Sequence, residues 1–321
     1  MHSVAVVDVP HMAKYTIRRF IQMIPVLFLV ATIVFTLMRV VPGDPAILML
    51  SGQGAITPEM VAELHEQLGL DRPLIAQYLS FIGNALKGDF GSSNRLKASV
   101  VRVLLRVLPY TVALSVAGMI LSVVLGVPLG ILSALYRGTW FDSLFMIIAM
   151  FGVSVPLFWL GLTLILVFSF MLGWLPPISV GILRLQSLAL PALTLGFSQA
   201  GLIARLTRSS MLETLRQDYV TTARSKGLAE RVVVMRHALR NALIPVVTVI
   251  GLQLGSMFAG AAVTETVFSR PGLGRTIVSA VVWKDYPLVQ GAVLFAAVGF
   301  IVMNFLVDLV YAWLDPRINY T

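Results

Sequence analysis

Apolar positions in this chain run in long unbroken stretches instead of alternating with polar ones. Six stretches stand out, at residues 20–41, 108–132, 141–172, 188–206, 243–263 and 288–313. A helix needs about twenty apolar residues to cross roughly 30 Å of hydrocarbon, so each stretch is read as one crossing. The third is too long for a straight span. Pro156, in Gly152-Val-Ser-Val-Pro156, removes a backbone donor at its middle. That predicts a kinked, tilted or partly re-entrant helix and leaves five or seven crossings open. The pattern predicts an all-α, polytopic membrane protein of about six transmembrane helices.

The longest polar interval, 42–107, carries its own helix punctuation. Thr57-Pro58 is a start with proline in the first turn, Gly69 is a stop, and Asp71-Arg-Pro73 to Gly88 repeats the device. Two short helices forming a small extramembrane cap are expected. Within the apolar stretches, Pro128, Pro156, Pro191 and Pro245, with Gly126, Gly130, Gly152 and Gly161, break or thin the helices. Such helices suit a path that opens and closes, and small residues equally permit close helix packing.

Composition supports the membrane reading. The 321 residues are 58% hydrophobic and 12% charged, where a soluble domain is roughly a quarter charged. Mean hydropathy is +0.89. The first stretch follows Lys14, Arg18 and Arg19 as a secretory signal would, but it is long and no small-x-small cleavage pattern ends it, so a retained anchor is expected. Cysteine is absent, which excludes disulfides and thiolate metal sites. The net charge of +9 does not form one soluble patch. The bases cluster beside apolar stretches as topology signals do, so no nucleic-acid partner is expected, and membrane lipid is.

Charge counts set the orientation. Residues 205–241 hold eight bases (205, 208, 216, 224, 226, 231, 236 and 240) against three acids (213, 218 and 230), while 173–187 holds only Arg184. Short cytoplasmic loops carry the Lys and Arg excess, so 205–241 is expected inside. With six spans both termini then fall inside, which Lys14, Arg18 and Arg19 support independently. The 42–107 segment, with six acids and six bases, falls outside by parity. Trp174 and Trp283 sit at outer span ends and Trp140 and Trp313 at inner ends, as interfacial aromatics do.

Catalytic motifs are missing. The chain has no Gly-Lys dipeptide, hence no phosphate-cradling Gly-x-x-x-x-Gly-Lys loop, and any ATP would be handled by another chain. His2, His11, His65 and His237 are isolated, so a metal site would need distant acids to converge. An ion-coupled carrier keeps ionisable groups near the bilayer midplane, and these spans are nearly bare of them. Arg39, Arg205 and Asp308 lie near span ends, where snorkelling or a local ion pair accounts for them. Asp308, with Asn304 four residues earlier, forms either a pathway-lining polar face or a helix-interface one.

The basic segment is the most informative. Gly227 divides it into two helical halves, as a left-handed stop would. After it, Val232, Met235, Leu239 and Leu243 are expected on one face, with Arg236, His237, Arg240 and Asn241 on another. Taken alone, such a basic amphipathic helix is an interfacial one that binds acidic headgroups. The wording goes further. Asp218-Tyr-Val-Thr-Thr-Ala-Arg-Ser-Lys-Gly227 and Arg236-His-Ala-Leu-Arg-Asn-Ala-Leu-Ile-Pro245 resemble the cytoplasmic coupling loop of ATP-binding-cassette (ABC) importer permeases, specifically the dipeptide and oligopeptide permease family. Matches continue at Pro42-Gly-Asp-Pro45, Leu68-Gly-Leu-Asp71 with Gln77-Tyr78, Gly88-Asp-Phe-Gly91, Glu265-Thr-Val-Phe, Pro271-Gly-Leu-Gly-Arg275, Asp285-Tyr-Pro287 and Asp315-Pro-Arg317. The general importer motif, Glu-Ala-Ala, three residues, then Gly, is replaced here by Thr221, Thr222 and Ala223. Of its later Ile-x-Leu-Pro only Leu239 remains. The peptide-type subfamily resembles this chain at those same places.

The resemblance implies a type I ABC importer transmembrane fold with a small extracytoplasmic helical cap. It implies a non-enzymatic permease subunit in a bacterial inner membrane, moving small peptides by alternating access, or a related solute such as glutathione or a nickel complex. Residues 1–19 would be a cytoplasmic segment, 20–41 the first transmembrane helix, and 42–107 the outer segment. Residues 108–313 would be a five-helix core containing coupling loop 207–241, and 314–321 a cytoplasmic tail. Asp218, Tyr219, Thr222, Ala223, Arg224, Lys226 and Gly227 would dock an ATPase subunit. The implied partners are a second homologous permease, two ATPase subunits carrying ATP and magnesium, and an extracytoplasmic solute-binding protein; no cofactor is implied in this chain. A secondary carrier and a scaffold anchoring a cytoplasmic partner are the readings from other classes.

Overall fold

The computed structural model describes residues 9–40, 44, 46, 47, 57–178 and 181–314. The Pro42-Gly-Asp-Pro45 match, except Asp44, and all of Asp315-Pro-Arg317 lie outside them, as do the side chains of Asp308 and Trp313. In chain order the elements are α1 (Val9–Val40), α2 (Pro58–Leu68), α3 (Leu74–Leu86), a two-strand hairpin of β1 (Ser92–Ser93) and β2 (Ala98–Ser99), and α4 (Val100–Leu135). There follow α5 (Trp140–Ser154), α6 (Leu157–Leu164) continuing into a π-helical stretch Ile165–Met171, α7 (Leu185–Thr214) and α8 (Asp218–Ser225). A short α9 (Glu230–Val232) leads through a second π-helical stretch, Val233–Ala238, into α10 (Leu239–Val267), and α11 (Leu273–Val282) and α12 (Tyr286–Leu314) complete the chain.

Among the described residues five helices are long and apolar enough to cross a membrane, and α5 with the α6 segment makes a sixth if counted as one broken span. That pair bends by 105° at Pro156, the break expected from the missing donor. The helices overrun the apolar stretches: α4 begins at Val100, not 108, and α7 ends at Thr214, not 206. Helical hydrogen bonding does not stop where hydrocarbon does, and Arg102, Arg106, Arg205 and Arg208 are all carried within the ladder. Pro128, Pro191 and Pro245 do not break their helices.

The chain divides into two units. One holds the residues up to Pro109 together with Arg275–Val302; the other holds Tyr110–Gly274 and the end of α12. In the first, Thr57 caps α2 through its hydroxyl, Pro58 fills the first turn, and Gly69 closes the helix in the left-handed region at φ 64°. α3 follows Pro73 and packs on α1: the Tyr78 and Phe81 rings meet Phe35, and Gln77 accepts a 2.8 Å bond from Arg39. The hairpin is pinned to the start of α12, where buried Asp285 accepts from the Ser93 hydroxyl at 2.6 Å and the Arg95 amide at 3.1 Å. Gly291 leaves room there for Val100 and Phe90.

The second unit is built around α7. A Cβ on Gly126 would meet the Ala200 carbonyl and Ile203, and one on Gly130 the Ala204 carbonyl and Thr207. In return, Gly196 makes way for the Gly118 carbonyl and Leu121. On its other side Gly201 takes the Ala149 carbonyl of α5, and Gly152 the Phe197 carbonyl of α7. The α4 and α5 glycines flagged in the sequence, with Gly161 against Val267 and Phe268, are thus close-approach positions. Leu114, Met119, Leu188, Leu195, Met257 and Ala261 fill the core between α4, α7 and α10.

Candidate functional site

The basic segment after α7 folds as two short helical pieces around a turn. In α8, Asp218 lies in the first turn and Arg224 in the last, each complementing the helix dipole at its end. Gly227 then takes φ 75°, and its amide bonds the Arg224 carbonyl at 2.9 Å. No atom crowds the Gly227 Cβ position, so the requirement for glycine is conformational. Arg224 reaches across the turn to Glu230 with both Nε (3.1 Å) and Nη2 (2.7 Å). This fork raises the Arg224 pKa, chiefly through the hydrogen bond to Glu230.

Only two residues of α8, Val220 and Ala223, are buried, packed with Val233 against Leu215. Asp218, Tyr219, Thr222, Arg224, Lys226 and Gly227 are exposed together on the remaining surface. The Ala223 side chain faces the chain's own core, because it and Val220, three residues apart, form the apolar stripe that holds so short a helix down. Tyr219 Oη accepts a 2.8 Å bond from Asn241 Nδ2, tying α8 to the start of α10.

The helix after the turn departs from the faces expected of it. Val233, Val234, Ala238 and Ala242 are buried, while Val232 and Met235 are exposed and Leu239 and Leu243 half-buried. Residues 233–238 are π-helical, with more residues per turn than the 3.6 assumed, so the apolar face is rotated from the expected positions. Small Ala238 and Ala242 then lie close to Ala134 and Met211. Arg236, Arg240 and Asn241 are exposed, as expected of the polar face.

Beneath this segment lies an ion pair. Arg208 of α7 grips Asp142, in the first turn of α5, with Nε to Oδ1 at 2.9 Å and Nη2 to Oδ2 at 2.7 Å. Asp142 also accepts from the Ser133 hydroxyl of α4 and, at 3.2 Å, from the Gly138 amide. One carboxylate therefore joins the end of α4, the following turn, the start of α5 and α7. Beside it Arg137, Ser209, Leu212, Glu213, Arg216 and Gln217 line an open hollow of about 440 Å³ that ends where α8 begins. Neither partner stands out in the sequence, where Arg208 is one of the bases of the 205–241 segment and Asp142 lies inside an apolar stretch. A lone acid at the head of such a stretch was the available signal.

At the opposite end of this unit, the Glu265-to-Gly274 motif forms a buried polar knot. Glu265 accepts from the Thr111 hydroxyl at 2.5 Å, and that hydroxyl accepts from the Leu273 amide at 2.8 Å. Buried Arg270 donates to the carbonyls of Tyr110, Gly181 and Ile182. Gly272 lies directly against the Glu265 carboxylate and Gly274 against Ala262, which fixes glycine at both places. Of the two residues expected to form a pathway or helix-interface polar face, Asn304 packs where a Cβ on Gly255 would otherwise stand. The Asp308 side chain is outside the described residues.

In the other unit, His65 bonds both Asp44 oxygens through Nε2 (2.9 and 2.8 Å) and Asp71 through Nδ1 at 3.3 Å. Its pKa is raised, first by the Asp44 bond. Asp44 is lowered on balance: desolvation opposes the shift, and the His65 and Ala46 bonds outweigh it. Distant acids thus do converge on one histidine, though among the described residues no group of three metal-ligating side chains is assembled.

Comparison with known proteins places this architecture. Residues 126–320 match the family model "binding-protein-dependent transport system inner membrane component", and residues 12–115 match its N-terminal counterpart. The di/tripeptide transport system permease protein DppB of Pseudomonas aeruginosa is 42% identical, over 96% of this chain and 99% of its own length. The glutathione transport system permease protein GsiC of Escherichia coli is 43% identical, over 96% of this chain and all of its own. Among solved structures, the inward-facing MetNI methionine ABC transporter has a TM-score of 0.57 at 18% identity, covering 66% of this chain and 96% of that one. That likeness shows the fold alone, a type I importer bundle. The chain belongs to the inner membrane components of binding-protein-dependent transport systems, as an ABC importer permease of the dipeptide and oligopeptide family.

Proposed function

We propose that this permease imports solutes of two or three amino-acid residues and that α8 is its docking point for an ATPase subunit. The observation that carries the docking reading is the exposed set Asp218, Tyr219, Thr222, Arg224, Lys226 and Gly227, held out by a helix whose two apolar residues are used up internally. The hollow at Arg137 and Arg216 extends that surface. The Lys and Arg excess in residues 205–241 supports a cytoplasmic side for this surface and for both termini, and the family supports a bacterial inner membrane. The solute class follows from the two named relatives, since di/tripeptides and glutathione share a short chain of amide bonds ending in carboxylates. A nickel complex is the remaining alternative.

ATP has to favour one arrangement of the permease over another. Equal affinity for both shifts nothing, and moving a two-state equilibrium from 1:99 to 99:1 takes about 5.5 kcal/mol of differential binding. ATP and magnesium would bind the ATPase subunits, and α8 would pass closure of those subunits to α7 and α10 through Leu215, Val233 and Asn241. A second homologous permease and an extracytoplasmic binding protein complete the assembly. The test is uptake by proteoliposomes holding the full complex, with dipeptide, tripeptide, glutathione and a nickel chelate compared. ATP-dependent uptake of peptides or glutathione is the expected result. Uptake by the permeases without ATPase subunits would instead establish a secondary carrier, and complex formation without any flux a scaffold.

A further inference from the structure

Of the two short helices between α1 and the hairpin, α2 is an aqueous helix: Glu59, Glu63, His65 and Glu66 all lie along it. α3 is of a different kind. Its thirteen residues, Leu-Ile-Ala-Gln-Tyr-Leu-Ser-Phe-Ile-Gly-Asn-Ala-Leu, include no charge. Leu74, Ile75, Leu79 and Leu86 are 62%, 75%, 63% and 84% exposed, although each would be a core residue in a water-soluble helix. The next residue is the exposed Lys87, followed by Gly88 and Asp89.

The opposite face shows the depth of α3. The Tyr78 ring packs edge-on against Phe28 (6.0 Å between centroids) and Phe35 (5.2 Å), and its hydroxyl is 2.7 Å from Thr32 Oγ1. Thr32 gives its own proton to the Phe28 carbonyl, so Tyr78 is the donor to Thr32. Thr32 lies seven residues before Arg39, the charge that closes the span, or about 10 Å along the axis at 1.5 Å per residue. An interfacial tyrosine ordinarily turns its hydroxyl to water. Here the hydroxyl is instead satisfied by a side chain of the span, as hydrocarbon surroundings require.

We propose that α3 is an in-plane helix embedded in the membrane interface, with Ile75, Leu79 and Leu86 in contact with lipid acyl chains. Lipid fits this face better than a second permease does. The large exposed side chains of α3 are all aliphatic and the other exposed ones, Ala76, Ser80 and Asn84, are small or uncharged, whereas protein-interface centres are enriched in aromatic residues, Met and Arg. The α1 surface beside it, with Phe28, Ile33 and Leu37 exposed, is of the same lipid-facing kind. The cap of this permease is thereby divided, α2 in water and α3 in lipid.

This chain has no cysteine, so label recovered in the permease band reports the single introduced site. Ile75→Cys, Leu79→Cys and Leu86→Cys, with Glu66→Cys on α2 as the aqueous control, are placed singly in the full complex in nanodiscs. Each is treated with a charged maleimide or labelled with a fluorophore in the presence of nitroxide-bearing lipids. The α3 positions should react at least about tenfold more slowly than Glu66→Cys, since each unit of thiol pKa added by apolar surroundings removes nine-tenths of the thiolate. Their fluorophores should be quenched by nitroxide placed near the headgroup. Reaction as fast as at Glu66→Cys would overturn the proposal in favour of water. Slow reaction without lipid quenching would overturn it in favour of a protein partner. Should the variants fail to assemble, a photoactivatable acyl chain applied to the unmodified complex decides: cross-links within residues 74–86 support the embedding, and their absence when α1 is labelled refutes it.

Discussion

The Asp142–Arg208 pair gives the sharpest energetic prediction. In Asp142→Asn the shape is kept but one carboxylate oxygen becomes an NH2 group. It faces either Arg208 Nη2, now 2.7 Å from Oδ2, or Arg208 Nε and the Ser133 hydroxyl, which share Oδ1. Whichever way the amide turns, donor meets donor and the ionic attraction is gone. Breaking a buried pair by removing one partner costs about 3–5 kcal/mol, and a hydrogen bond to a charged group contributes about 1.5–3. Asp142 is 11% exposed but Arg208 is 30% exposed, so water recovers part of the loss. The expected destabilisation is about 2–3 kcal/mol, or a thermal midpoint lower by about 5–10 °C for a unit of this size. The assay is thermal unfolding of the purified protein in detergent, run as a double-mutant cycle with Arg208→Leu. The double variant should be less destabilised than the sum of the singles by about 1–2 kcal/mol. Additive single effects, or an Asp142→Asn midpoint within about 1 °C of the unaltered protein, would show that the carboxylate does not hold these helices together.

Three further outcomes are expected. Gly227→Pro and Arg224→Glu should leave the permease in the membrane but lower the solute moved per ATP hydrolysed, because one spoils the left-handed turn and the other sets two acids against each other across it; unchanged stoichiometry in both would remove α8 from coupling. Gly130→Val should cost at least about 1–3 kcal/mol as an overpacked contact with the Ala204 carbonyl and Thr207, read as loss of folded protein after extraction, whereas Gly83→Ala, with open space at its Cβ, should be silent. The Asp44–His65–Asp71 cluster should stabilise α2 below about pH 6.5, the unfolded histidine value, and lose that contribution as pH rises through the higher folded value. Hydrogen exchange in residues 58–68 would report it, and a pH dependence that survives His65→Gln would assign the effect elsewhere.

The helical architecture was legible because hydrocarbon forces a long apolar stretch for each crossing, and the capping signals at Thr57, Gly69 and Gly227 are local and strong. The bend at Pro156 was legible for the same reason. Register was not: the apolar face of 232–243 was predicted with a 3.6-residue period, and a π-helical stretch rotated it. Nor were the pairings of Asp142 with Arg208, Ser93 with Asp285 and Thr111 with Glu265, since each joins residues far apart in the chain or across a turn that only the packed helices define. Within 218–227 the polar side chains are exposed, as their chemistry suggests, whereas Ala223 is buried and its small size, which suits either face, carried no signal of that.

The seam between α4 and α7 has a mechanical consequence. Where Gly126 meets the Ala200 carbonyl and Gly130 the Ala204 carbonyl, main chain touches main chain, and no flexible side chain lies between to change rotamer. A push received at the lower end of α7 has nothing there to absorb it, so the two rods are bound to travel as one stiff lever.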